Sequence, residues 1–502
     1  MPQLSGWLNA VARRARRWAG APRAGERLDA PAFLRHAARL ARATPAPRGL
    51  WLSLIGPADG PVPPGAEVVA DFAAARAPYV ARLDAGARLA PHALALIAAA
   101  LAENPEAVAL YTDEIAGGEV VLKPAFDPVL LDGFDYFGRL AVYRRETVAA
   151  LGGFGPDYEL ALRVAAAAPP GGVLHLPYPA YIGPARRQDP EAMRAAHGAR
   201  VFASGLAPDR LRPALALSPW PKVGVVIPSR DAPELIGAAL EGLFARTDYP
   251  AFDVTVIDNG STDPRTLALY ARHAGPRLRV DIRPEAFNFS RACNRGAGLS
   301  DAEVLLFLNN DVEAPEPGWL MEMVSCLAYP ATGIVGAKLL YPDGALQHAG
   351  VIAGLGGYAG HWHIGRPEDE YGPQRRLAVR QSLSVVTGAC MLATRACFDA
   401  VGGFDEQTFP VAYNDVDFCL RAGAAGFRTI WTPFARLIHH ESATRGSDET
   451  PQQRARFARD KAALQARHRT DILEDRAYNP WAARGHSDPW PQARADLPKP
   501  RA

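Results

Sequence analysis

Apolar and polar positions along this chain fall into two blocks of alternating strands and helices. From about residue 45 to 205, Ala90–Glu103 has helical spacing, Ala107–Tyr111 reads as a strand and Gly171–Ile182 as a buried strand region. A polar, then Pro-containing connector follows near 186–220 and ends Ser218-Pro219-Trp220-Pro221. The pattern then restarts. Val223–Pro228 predicts a strand, Pro233–Arg246 a helix, Phe252–Asp258 a strand and Pro264–His273 a helix. Arg277–Ile282 predicts a strand, Phe289–Leu299 a helix and Glu303–Leu308 a strand. Such alternation predicts βαβ units and a parallel sheet, with ligands beyond the carboxyl ends of its strands. Polar clusters stand at those ends: Ser229-Arg230-Asp231, Asp258-Asn259 and Asn309-Asn310-Asp311.

Residues 1–22 follow a different pattern. Leu4, Trp7, Leu8, Val11, Ala15 and Trp18 share one helical face, Arg13, Arg14, Arg16 and Arg17 lie largely elsewhere, and Gly20 and Pro22 end the run. Two readings fit: a helix docked on its own domain, or an interfacial helix on anionic lipid.

The chain also repeats itself. Gly138–Ala166 and Gly388–Ala424 each predict a strand, a turn, a helix ending in Gly-Gly-Phe and an acidic segment leading into Leu-Arg. Leu83-Asp84-Ala85-Gly86 lies where the second copy has Leu308-Asn309-Asn310-Asp311. These are two copies of one fold, the first shortened.

Composition narrows the class. With 502 residues the chain exceeds a single core, and 48% apolar with 22% charged residues is a globular balance. A net charge of +2 gives no support to nucleic-acid binding. The five cysteines (Cys293, Cys326, Cys390, Cys397 and Cys419) contain no CxxC pair and fit free thiols in a reducing compartment. No run of about 18 apolar residues predicts a spanning helix, and the N-terminus lacks a signal-peptide core. The expectation is a cytoplasmic protein, with peripheral contact at the inner face of the plasma membrane if the N-terminal helix binds lipid.

Three clusters carry metal or acid–base chemistry. Asp311 follows an apolar strand, and one carboxylate plus substrate phosphates is a common way to hold Mg²⁺; an Asn/Asp turn is the plainer reading. Asn414-Asp415-Val416-Asp417 precedes a helix, so one carboxylate can cap it while another acts as general base. Ile438-His439-His440-Glu441-Ser442 closes an apolar run and offers imidazole ligands, or a satisfied histidine pair.

Together these residues resemble a family 2 glycosyltransferase of the GT-A fold over residues 223–445. The motifs are VVIPSRD (225–231), VIDNGSTD (256–263), FNFSRACNRG (287–296), LLFLNNDV (305–312), GAKLLYPDGALQHAG (336–350), VGGFDE (401–406), YNDVDFCLRAG (413–423) and IHHESATRG (438–446). The match is similar in particular to the bacterial subgroup that makes rhamnan, O-antigen and other surface polysaccharides, often with two GT-A units in tandem. It implies an α/β fold: a GT-A catalytic domain over 223–475, preceded by a truncated, non-catalytic GT-A-like domain over 45–205 and a linker at 206–222. A Pro/Arg-rich tail at 476–502 follows.

The resemblance also implies roles. Asp258 would bind the nucleotide base, with Pro228, Ser229, Arg230, Asn288, Asn294, Asn309 and Asn310 around the nucleotide sugar. Asp311 would bind Mg²⁺ or Mn²⁺, with His439 as the distal ligand in preference to His440. Asp415 would be the catalytic base and Asp417 its supporting carboxylate. Gln347, His348, His361 and Trp362 lie where an acceptor could bind, or in a mobile loop. In the first copy Gly86 replaces the metal carboxylate and Gly183 the metal histidine, while Asp157 survives opposite Asp415.

The implied reaction is inverting, metal-dependent transfer from a nucleoside diphosphate sugar to a saccharide or lipid-linked glycan. dTDP-rhamnose fits the subgroup, and UDP- and GDP-sugars stay open. A nucleotidyltransferase would need a Gly-rich phosphate loop, which Ser229-Arg230-Asp231-Ala232 does not supply. A non-catalytic nucleotide-sugar-binding or assembly scaffold is the alternative.

Overall fold

Two sheets account for the two blocks of the sequence. The computed structural model describes residues 25–57, 62–185, 188–198, 201–440, 451–485 and 490–502; the N-terminal amphipathic stretch lies outside these. The chain divides into two units. One takes the chain up to His197 together with Tyr478–Ala483 and the residues from 490 on, and the other takes Gly198–Ala477 with a short piece around Arg484.

In the second unit Leu278–Ile282, Phe252–Asp258, Val223–Ser229 and Val304–Leu308 lie side by side in parallel. Every residue of Val223–Ser229 and Val304–Leu308 is buried, as apolar runs covered on both faces require. The helices between them begin where the sequence provides caps: Asp263 accepts from the Arg265 amide ahead of Pro264–His273, and Asn288 from the Arg291 amide ahead of Phe289–Leu299. Beyond Val304–Leu308 the sheet turns mixed. Cys390–Thr394 pairs antiparallel to it, then come Thr332–Leu340, Arg428–His439 and the short Val312–Glu313. Residues 206–222, expected as a linker, include the strand Leu211–Pro213, which pairs with Val201–Ala203 inside this unit.

The first unit repeats that order: Ala66–Val69, Leu52–Ile55, Tyr79–Arg82, Ala141–Arg144, Ala109–Ala116, Val173–Gly183, Arg88–Leu89. Three parallel strands therefore precede or include the segment at Leu83, where the sequence left room for almost none. What the copy lacks, among the described residues, is the outermost strand and the helices between the parallel strands. Its sheet is covered instead by the helix Ala30–Ala41 and by the returning C-terminal residues, with Phe33, Leu52, Leu110 and Trp481 in one apolar cluster. The Trp481 indole donates to the Pro177 carbonyl, and the expected tail is thus part of this core. Among the described residues no helix is long and apolar enough to cross a membrane.

Candidate active site

Sheet register builds the first corner of the site. Val312 pairs with His439 across the antiparallel edge, which sets the preceding Asp311 beside that histidine. Asp311 Oδ1 lies 3.2 Å from His439 Nε2, and both side chains are almost fully buried. Asn309 Nδ2 stands 3.5 Å from the same nitrogen. His440 turns away, its ring 3.6 Å from Glu313, so the strand's alternation selects His439 over its neighbour. No group of three or more His, Cys, Asp or Glu side chains among the described residues is arranged to hold a metal alone. One carboxylate and one imidazole nevertheless fit a divalent cation that takes its other ligands from water and phosphate. Adjacent ligands about 2.1 Å from an octahedral ion stand about 3 Å apart, close to the spacing found here.

The second corner is held by three consecutive residues. The Ala389 carbonyl accepts from the Asn309 amide at 2.9 Å. The Gly388 amide donates to Asp415 Oδ2 at 2.9 Å, and the Thr387 amide to His348 Nε2 at 3.3 Å. One turn thus ties the Asp311 loop, the start of the helix Asn414–Ala424 and the buried His348 together. Sequence reasoning assigned this turn nothing; its signal was only its position before the strand Cys390–Thr394. Asp415 is partly exposed, and its Oδ1 accepts from the Val416 amide at 2.8 Å. Burial first, then the nearby His361 and His439, hold His348 well below the usual histidine range. With Nε2 accepting from Thr387, the neutral ring carries its proton on Nδ1, 3.2 Å from His361 Nδ1.

Several predicted ligand-binding residues have structural work instead. Asp258 is fully buried; its oxygens accept from the Ser261 amide (2.6 Å), the Ser261 hydroxyl (2.6 Å) and the Tyr270 hydroxyl (2.7 Å). These bonds shape the loop after its strand. Asn288 caps its helix and donates to the Glu406 carbonyl at 2.9 Å. Asn294 accepts from the Phe404 amide and donates to the Phe404 carbonyl and to Glu406, so it fastens the Gly-Gly-Phe loop. Trp362 is buried with the Arg376 guanidinium over its ring, a core position rather than an acceptor contact. Gln347 is buried as well.

Asp417, expected as the carboxylate supporting Asp415, is held from three sides. It is fully buried and accepts from Arg421 (2.8 Å), Arg467 (2.9 Å) and His468 (2.8 Å). Burial by itself would raise its pKa; the His468 bond and the Arg421 and Arg467 guanidinium groups outweigh that and hold the carboxyl below its ordinary range. It fixes the helix that carries Asp415. Of the remaining calls, Pro228 and Ser229 are buried at their strand end, where Asn310 donates to Ser229 Oγ at 3.1 Å. Arg230 is largely exposed.

The first unit shows the same frame with different chemistry. Arg163 donates to the Leu151 and Gly153 carbonyls and pairs with Glu159, as Arg421 does with Val401, Gly403 and Asp417. Asp157, opposite Asp415, is paired with Arg82 at 2.7 Å. Gly86, opposite Asp311, has a left-handed backbone with φ 71°. A Cβ on Gly183, opposite His439, would collide with the Tyr181 hydroxyl, which hydrogen-bonds Asp84.

A sheet whose parallel half meets an antiparallel half at a polar Asp–His corner defines an α/β fold of the GT-A type. Residues 224–402 match the family model "Glycosyl transferase family 2", and residues 339–470 match "Glycosyl transferase family group 2". The second unit thus carries, over residues 224–402, a match to the family 2 glycosyltransferases. It is 37% identical over 451 residues to the uncharacterized protein y4gI of Sinorhizobium fredii, covering 82% of this chain and 49% of that one. It is 37% identical over 418 residues to the O-antigen biosynthesis protein RfbC of Myxococcus xanthus, covering 76% of this chain and 32% of that one. An N-acetylglucosaminyl-diphospho-decaprenol L-rhamnosyltransferase of Mycobacterium tuberculosis is 28% identical over 231 residues, 42% of this chain and 73% of that one. The chain thus spans half or less of the length of the first two.

Proposed function

We propose that the second unit transfers a sugar from a nucleoside diphosphate sugar to a saccharide or glycolipid acceptor, with inversion, in bacterial surface-polysaccharide synthesis. The observation that carries this reading is the Asp311–His439 pair joined to Asp415 through the turn Thr387–Ala389. The relatives named for O-antigen biosynthesis and rhamnosyl transfer support it, and rhamnose is the donor sugar they favour.

Asp311 and His439 would hold Mg²⁺ or Mn²⁺, whose charge offsets the charge that develops on a departing diphosphate. Ser229, Arg230, Asn309 and Asn310 stand at the strand ends where the nucleotide sugar would lie, and Arg230 has the exposure to reach a phosphate. Asp415, oriented by the Gly388 amide, would take the proton of the acceptor hydroxyl as that oxygen attacks the anomeric carbon. Direct displacement needs no covalent nucleophile and inverts the centre. His361, oriented through His348, would face the acceptor. The first unit would not catalyse, because Arg82 occupies the carboxylate opposite the base and Tyr181 fills the histidine's place.

Calorimetry with UDP, dTDP and GDP, each with and without Mn²⁺ or Mg²⁺, tests the reading. The expected result is metal-dependent binding of one diphosphate, lost in Asp311→Ala. Binding of none by the folded chain would overturn it in favour of a scaffold.

A further inference from the structure

Beyond the sheet, the helix Pro451–His468 contacts both sides of the candidate site. On one side Arg467 and His468 hold Asp417 of the catalytic helix, and Arg467 also reaches Asp405 at 2.8 Å. Phe457 packs against Tyr413, two residues before Asp415, with ring centroids 5.3 Å apart at 31°. On the other side Lys461 lies 3.8 Å above the Tyr358 ring, while Gln465 and Thr470 donate to the Gly357 carbonyl. Tyr358 leads into the strand Ala359–His361, which carries His361. The helix therefore packs against Tyr413, two residues before the proposed base, and against Tyr358, three residues before the residue proposed to face the acceptor.

These rings are not ordinary core. Phe457 keeps 39% of its surface exposed although it sits against another aromatic ring. Tyr413 takes a left-handed backbone, φ 57° and ψ 10°, which costs a bulky residue energy and is maintained immediately before the catalytic helix. Burial first, then Tyr358 and Asp415, push the Tyr413 phenol up to about 12, so it stays a neutral hydroxyl donor beside Asp415. A pyranose ring has one face of C–H groups that packs on aromatic surface and a rim of hydroxyls that needs polar partners. The exposed ring of Phe457 offers the first, and the Tyr413 hydroxyl, Asp415 and the Lys461 ammonium over the Tyr358 ring offer the second.

We infer that Tyr358, Tyr413 and Phe457 form a stacking platform for the acceptor sugar, with the helix Pro451–His468 as the wall of the acceptor site. This rests on the transfer reading above and adds the chemical class of the acceptor's terminal unit, a pyranose bound through its apolar face.

The test measures nucleotide release by the full chain from the nucleotide sugar selected by calorimetry. The acceptors are p-nitrophenyl α-L-rhamnopyranoside and p-nitrophenyl N-acetyl-β-D-glucosaminide. Phe457→Ala is expected to raise the acceptor KM about tenfold, as loss of one aromatic stacking partner does, with the donor KM and diphosphate affinity unchanged. Phe457→Trp, which keeps an aromatic face, is expected to bring the acceptor KM back toward wild type, and Tyr413→Phe, which keeps the ring and loses the hydroxyl, to raise it by less than Phe457→Ala does. An unchanged acceptor KM in both Phe457→Ala and Tyr413→Ala overturns the platform while leaving the transfer reading standing. A wild-type chain that neither binds a diphosphate nor transfers from any donor overturns both. A fall in donor affinity in Phe457→Ala would assign the helix to the nucleotide instead and also overturns the platform.

Discussion

The two sheets of this protein have one strand order and opposite chemistry, and the difference isolates what belongs to the fold from what belongs to the site. Both copies fasten the helix after Gly-Gly-Phe with an arginine on the same two carbonyls and on an acid four residues earlier. That element persists where the counterparts of Asp311 and His439 are glycines and the counterpart of Asp415 is paired with Arg82. Asp417 and Glu159 therefore belong to the frame. Asp311, His439 and Asp415 have no working counterparts: Gly86 offers no side chain, Tyr181 fills the space at Gly183, and Arg82 neutralises Asp157.

The sharpest way to break this comparison is to remove the two opposed carboxylates. Asp415→Asn is expected to lower kcat by about 10²–10⁴, the range of general-base loss, while Asp157→Asn stays within about twofold of wild type. Steady-state nucleotide release reads both, and an equal loss in Asp157→Asn would restore the first copy to catalysis. Next comes the frame. Asp417→Ala leaves two guanidinium groups and His468 without their buried acceptor and is expected to cost about 3–5 kcal/mol in urea denaturation of the second unit. Glu159→Ala, on a half-exposed pair, is expected to cost about 0–1 kcal/mol.

A third expectation concerns acid. His175 is fully buried in the first unit, and burial, opposed by Asp113 and assisted by Arg501 and Lys123, lowers its pKa to about 4. The native state thus refuses a proton that the unfolded chain takes near pH 6.5. Stability is whole above that value and declines by about 3 kcal/mol as pH falls from 6.5 toward 4. His175→Gln is expected to flatten that part of the denaturation-versus-pH curve. The smallest effect is steric. Gly183→Ala drives a methyl against Tyr181 and to 2.9 Å from Ala87 Cβ, and is expected to lower the first unit's stability by about 1–3 kcal/mol in thermal unfolding. His439→Ala is expected to be read instead in metal-dependent nucleotide binding.

The parallel half of the second sheet was legible because each strand is a short apolar run with a polar cluster at its exit. Asp311, His439 and Asp415 were legible as chemistry at strand and helix ends. Asp258, Asn288, Asn294 and Asp417 show where that reasoning stops, since a motif names a polar residue without saying which way it is spent. Each of these four turns inward: Asp258 to Ser261 and Tyr270, Asn288 and Asn294 to residues 404–406, and Asp417 to Arg421, Arg467 and His468. Trp362 is the same case in apolar form. The first copy's parallel strands were missed because Leu52–Ile55 and Ala66–Val69 are four residues each and no described helix separates them. No periodicity could reveal that its cover comes from both ends of the chain.

That last arrangement orders events during synthesis. Trp481 and the final residues enter a core whose other members precede residue 198, so a ribosome must emit the whole second unit before the first can close. At about 5–20 residues per second the roughly 280 residues in between take some tens of seconds. Throughout that interval the first sheet has the cover of Ala30–Ala41 but not that of Trp481 and Ala493. The nascent chain therefore closes back to front, its first-made half the last to complete its core.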